Sequence, residues 1–222
     1  MKGLSRGRNA GIALATGDIL CFPDDDCIYP AGLLRDVLLV FENTGADIVC
    51  GRAANEKGES INGRFEKIPQ WIDRNNVFTT QIEWVVFFKK AVLEKINGYD
   101  EEVGVGASTP WQSCEGPEIT IRALEEGFRG YYDPGIFAHH ANLHSDRPDK
   151  NARRKSRRYA RGMGYVMRKH RYSFVFLVKF IVRSIGGACF SLLKLRMRRA
   201  LYYFNTALGR FEGFAGFIVG YR

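Results

Sequence analysis

Gly17-Asp18-Ile19-Leu20-Cys21-Phe22-Pro23-Asp24-Asp25-Asp26 is a short apolar run, closed by a proline, with three carboxylates directly behind it. An apolar run of this length between Gly and Pro reads as a buried strand. Three adjacent carboxylates at its end repel one another in a folded domain unless a cation holds them. Hard oxygen donors favour Mg²⁺ or Mn²⁺, and a nucleotide diphosphate can complete the coordination. A solvated acidic turn is the plainer reading of a triple Asp taken alone, so the surrounding sequence has to decide.

Working outward, residues 9–16 read as a short helix that stops at Gly17. Residues 31–42 form an amphipathic helical pattern, and residues 46–52 are again a buried-type strand. The polar stretch 53–76 has no periodicity and reads as a long loop with one short helix. A strand over 81–88 and a helix over 90–96, stopped by Asn97-Gly98, follow. After an irregular Gly-rich stretch, 104–114, residues 118–126 have helical spacing and end at Gly127. A last strand, 129–132, leads through Pro134 to 136–138 and the pair His139-His140. Helices alternating with strands predict an α/β domain with its functional groups where the strands end.

Beyond Asp149 the pattern is helical only, and the charge changes sign. Of 222 residues, 33 are Lys or Arg and 24 Asp or Glu, an ordinary globular composition that excludes a disordered tail or a fibre. Residues 147–222 hold 19 of the basic residues and 2 of the acidic ones, net +17 against −8 for residues 1–146. The predicted division is therefore an α/β domain over 1–146 and a basic, amphipathic helical tail over 147–222. The tail reads as helices over 150–170, interrupted by Gly162 and Gly164, over 172–194 and over 200–221. Lys179 and Arg183 fall on one face of the apolar segment 172–194. A helix lying in a membrane interface fits that pattern better than a simple spanning helix. Such a tail suits an anionic surface. A nucleic-acid-binding protein using residues 153–171 is the competing class. The interleaving of charge with long aliphatic and aromatic runs tells against it, so no nucleic-acid partner is expected. Five scattered cysteines without Cys-x-x-Cys pairs, and no cationic-then-apolar opening segment, fit a reducing cytosol.

The motifs have an order. Gly3-Leu4-Ser5-Arg6-Gly7-Arg8-Asn9-Ala10-Gly11-Ile12 is followed by Ala15-Thr16-Gly17-Asp18-Ile19 and Phe22-Pro23-Asp24-Asp25-Asp26. Ile96-Asn97-Gly98-Tyr99-Asp100-Glu101 and Glu115-Gly116-Pro117-Glu118-Ile119-Thr120-Ile121-Arg122 come next. This series resembles family 2 glycosyltransferases over most of residues 3–140. The resemblance implies a GT-A-type fold and transfer of a sugar from a nucleotide-sugar to a glycan or lipid-linked acceptor, with inversion at the anomeric carbon.

In that resemblance Asp24 and Asp26 handle a divalent cation, Mg²⁺ or Mn²⁺, and the donor's diphosphate, with Asp25 between them in the same donor-binding run. Arg8 resembles an arginine near the nucleotide, and His140 a histidine that completes the metal site, while His139 reads as structural. Trp111 stands either on the acceptor side or in core packing. The family's acidic motif has Glu-Asp, with the Asp as general base. This chain has Glu115-Gly116, which leaves Glu115 and Glu118 as candidates, Glu115 favoured and Glu118 with the alternative role of a helix-dipole carboxylate. The family also opens with a Val-Ser-Val-Ile-Ile-Pro-type strand, and a further strand ends in a nucleotide-contacting Asp. Neither precedes Met1. The expectation is an N-terminally truncated domain with an unpaired sheet edge. It would be an active enzyme, a non-catalytic fragment, or a chain completed by a partner, and its setting the cytoplasmic face of a membrane, peripheral or monotopic.

Overall fold

The apolar runs become one five-stranded sheet in the computed structural model, which describes residues 2–140 and 147–218. Its strands are β1 (Ile19–Cys21), β2 (Ile48–Ala54), β3 (Gln70–Ile72), β4 (Val86–Lys89) and β5 (Gly130–His139), in the order β1-β4-β2-β5-β3. β4 is antiparallel to both β1 and β2, β5 is parallel to β2, and β3 is antiparallel to β5. The C-terminal ends of β1, β2 and β5 and the start of β4 therefore lie along one margin of the sheet. On one side β1 pairs with β4, and no strand pairs with its other side among the described residues.

Four helices accompany the strands: α1 (Leu4–Leu14), α2 (Leu33–Thr44), α3 (Lys90–Lys95) and α4 (Glu115–Glu125). Leu33, Val37 and Phe41 repeat every four residues, and this stripe of α2 packs on Val49, Ala53, Phe87, Ile136 and Ala138 of the sheet. Burying each such side chain stabilises the fold by about 1.5–3 kcal/mol. At its end Gly45 adopts a left-handed conformation (φ 65°), with its amide on the Phe41 carbonyl, a conformation that glycine adopts at little cost.

Several sequence expectations change. α1 starts at Leu4 rather than residue 9. α4 starts at Glu115 rather than residue 118, because Pro117 sits in the first turn, where no amide donor is needed. The stretch 53–76 contains no helix; it contributes β3 instead, three residues too short to show alternation, with Trp71 edge-on to Tyr131 of β5. Residues 83–85 form a 3₁₀ turn ahead of β4 rather than the start of a strand. β5 runs through Pro134 because the β2 register shifts between Cys50 and Arg52, and the Arg52 guanidinium donates to the Pro134 carbonyl at 2.8 Å.

Contacts gather the described residues into two compact units, one of residues 6–100 and 115–140, the other of residues 2–5, 101–114 and 147–218. This division differs from a single cut before residue 147. Residues 101–114 join the helices because Ser113 donates to the Tyr159 carbonyl at 2.6 Å and Gln112 accepts from Arg158.

The second unit is built on α5 (Lys150–Lys169), α6 (Phe174–Leu193) and α7 (Met197–Ala215); the end of the segment read as helical to residue 221 lies outside the described residues. Gly162 and Gly164 do not interrupt α5. A side chain at Gly164 would strike the backbone of α7 at Arg210 and Phe214, and one at Gly213 the backbone of α5 at Arg161 and Tyr165. The glycines thus set the approach of two helix backbones. Glu212 of α7, fully buried, accepts from Arg157 and Arg161 of α5. By length and composition α6 could cross a membrane.

Candidate active site

The sheet margin that collects the ends of β1 and β5 and the start of β4 carries the predicted chemistry. The carboxylates follow β1, and the backbones of Ile28 and His139 then bond to each other, two hydrogen bonds of 2.9 Å that hold the acidic loop against the end of β5. Asp24, Asp26 and His140 converge, with one ligand atom of each within 4.8 Å of the others. His140 Nε2 lies 3.1 Å from Asp26 Oδ1, its Nδ1 lies 3.5 Å from the Asn62 side-chain amide, and its ring stacks on Trp84 at 4.8 Å. Two carboxylates and an oriented imidazole form a donor set that suits Mn²⁺ or Mg²⁺. Asp25 is exposed and lies outside this triad. The His139 ring packs on Phe137.

Arg8 of α1 is buried beside the triad. Its guanidinium lies 3.9 Å from Asp24 and 3.5 Å from Glu115 Oε1, with the rings of Phe22 and Tyr99 at 5.9 and 5.2 Å. α1 is fixed there because the Asn9 amide donates to the Tyr99 carbonyl (2.9 Å) and accepts from the Tyr99 amide (2.7 Å). Helix and Asn-Gly-Tyr-Asp motif thereby lock together.

Burial raises the Asp24 carboxyl above its ordinary range; Arg8 opposes this, and Asp26 and Asp25 add repulsion. Glu115 is only 4% exposed, and its Oε2 has no hydrogen-bond partner among the described residues. Burial first, then repulsion from Glu83, push Glu115 up to about 7, against the attraction of Arg8. A carboxyl tuned there can exchange a proton at neutral pH.

Of the two candidate bases only Glu115 lies on Arg8. Glu118, one turn further along α4, is fully buried and held by Arg122, whose Nε lies 3.0 Å from both carboxylate oxygens and whose remaining donors cap the carbonyls of Ile96 and Gly98. It docks α4 onto the Asn97-Gly98 turn. Trp111 belongs to the helical unit, where its ring stacks on Tyr165 at 4.5 Å and 7°, with Arg168 6.0 Å away. Sequence reading missed Glu83, half-buried in the turn before β4, whose carboxyl burial likewise pushes up. An acidic residue inside the otherwise apolar run 81–88 is the signal that could have found it.

Residues 1–95 match the family model described as Glycosyl transferase family 2. No curated protein matches the chain. Among solved structures, the mannosyltransferase PcManGT from Pyrobaculum calidifontis, in complex with GDP-Man and Mn²⁺, is 14% identical with a TM-score of 0.57; the match covers 94% of this chain and 66% of that one. S. aureus TarS 1–349 in complex with UDP is 13% identical with a TM-score of 0.47, over 99% of this chain and 73% of that one. The chain thus spans just under two thirds of the mannosyltransferase, with which it shares a GT-A-type fold. Over residues 1–95 the chain is similar to glycosyl transferase family 2, and that stretch covers the triple Asp and the elements on either side of it.

Proposed function

We propose that the chain transfers a sugar from a nucleotide-sugar donor to a hydroxyl of a glycan or lipid-linked acceptor, inverting the anomeric carbon. The observation that carries this reading is the convergence of Asp24, Asp26 and His140 beside the buried Arg8–Glu115 pair. The triad would hold a divalent cation, which when bound would neutralise charge on the departing diphosphate. Arg8 supplies a fixed cation for the same phosphates. Glu115 takes the acceptor's proton, because inversion needs a proton acceptor on the side of the attacking hydroxyl. Mn²⁺ together with GDP- and UDP-sugars are the probes of choice.

Release of nucleoside diphosphate from such a donor is expected to require Mn²⁺ or Mg²⁺ and to fall to background in Asp26→Ala. Turnover that is independent of metal and unchanged in that variant would overturn the assignment of the triad.

The proposed setting is the cytoplasmic face of a membrane. The basic charge of residues 147–222 and the apolar, exposed surface of α6 (Phe174, Val175, Val182, Ile185, Phe190) support it. The outer edge of β1, unpaired among the described residues, supports completion of the sheet by a further strand, from this chain or a partner.

A further inference from the structure

Glu83 is delivered to the site by the 3₁₀ turn, whose geometry frees its side chain from the alternation that β4 imposes on the residues after it. It lies against Gly116, the second residue of α4. A Cβ on Gly116 would come within 3.0 Å of Glu83 Cγ and 3.4 Å of its carboxyl carbon and Oε1. The glycine leaves that space to the Glu83 carboxylate at the open N-terminus of α4. Beside it stands Glu115, with one oxygen on Arg8 and the other buried without a partner among the described residues.

The charged and titratable groups facing this pair are Arg8 from α1, Asp24 from the acidic loop and Tyr99 from the turn after α3, whose phenol burial raises above its ordinary range. Arg8 is thus one buried cation set among three carboxyls. Two desolvated carboxyls that repel each other and share one cation favour holding a proton between them.

We infer that Glu83 is a second catalytic carboxyl, which forms with Glu115 a single proton-holding pair that accepts the proton of the attacking hydroxyl. The inference rests on the transfer reading for its role and on geometry for the pair. In the step, the acceptor O–H bond breaks and its proton goes to the pair. The hydroxyl oxygen bonds to the anomeric carbon, and the bond from that carbon to the diphosphate oxygen breaks, its electrons leaving with the nucleoside diphosphate. The pair then returns the proton to water.

The test uses the full chain with ¹³C-labelled Glu carboxyls, titrated by NMR without substrate, alongside the pH profile of sugar transfer with Mn²⁺. Glu115 is expected to titrate near neutral pH in the wild type and clearly lower in Glu83→Gln, where the repulsion is gone. Transfer by Glu83→Gln is expected to fall by about 10²–10⁴-fold, with Mn²⁺ and GDP binding retained in calorimetry. Glu83→Ala/Gly116→Asp, which grows a carboxylate into the same space from α4, is expected to restore the near-neutral titration. It decides the matter if Glu83→Gln does not fold. A Glu115 titration that Glu83→Gln leaves unmoved, or unchanged transfer and pH profile in that variant, overturns the inference. A wild type that shows the coupled titration but transfers no sugar supports the pair and tells against the transfer reading.

Discussion

Glu115 gives the site a pH signature that unfolding experiments can read. Its carboxyl is raised in the folded chain from the ordinary glutamate range, about 4.3, to about 7. Between those values the folded state binds more protons than the unfolded one, so this group's contribution to stability falls as pH rises through the window and levels off above it. Glu115→Gln should therefore gain stability relative to the wild type as pH rises from 5 to about 7, measured by urea unfolding at a series of pH values. A difference constant across that window would contradict the assigned burial. At this scale the sequence was legible where motifs stand in order. Asp24, Asp26, His140, Arg8 and Glu115 come together as a triad and a buried pair. Glu83 was not legible, because its place depends on a 3₁₀ turn and on an empty Cβ position 33 residues away, neither of which leaves a local pattern. Glu118 and Glu115 look alike in sequence, yet Arg122, four residues after Glu118 on the same face, takes one of them.

Elements were legible where periodicity ran long enough. The four-residue repeat of α2 and the apolar run of β2 show plainly, whereas β3 has three residues and no alternation. The glycines of α5 misled in the opposite direction. Gly162 and Gly164 carry a low helix propensity, but closeness to a neighbouring backbone outweighs it, and that closeness is invisible locally. Two alanine substitutions separate the effects. Gly186 in α6 has nothing within 4 Å of its Cβ position among the described residues, so Gly186→Ala should stabilise by about 1 kcal/mol. Gly213→Ala in α7 would drive a methyl into the Arg161 carbonyl and should destabilise by about 1–3 kcal/mol. Thermal unfolding of the two variants checks the signs. Stabilisation by both would show that α5 and α7 do not meet backbone to backbone.

At the scale of the molecule, the division of charge was legible from counting alone, and the contact boundary was not. Residues 101–114 side with the helices through hydrogen bonds to α5 that no composition shift announces. The basic residues and the apolar surface of α6 together predict flotation with phosphatidylserine vesicles, weakened but not abolished by salt, since burial of apolar area persists when charges are screened. Absence of flotation at low salt would contradict a membrane setting. The chemistry itself lies at the sheet margin, where an acidic loop, a histidine and a buried arginine are brought together by β1, β5 and α1. The most direct measurement is a crystal of the full chain soaked with Mn²⁺ and GDP or UDP, read by anomalous scattering. The account predicts an Mn²⁺ peak bound by Asp24, Asp26 and His140, with the diphosphate reaching Arg8. A peak elsewhere, or none where the nucleotide is bound, would contradict it.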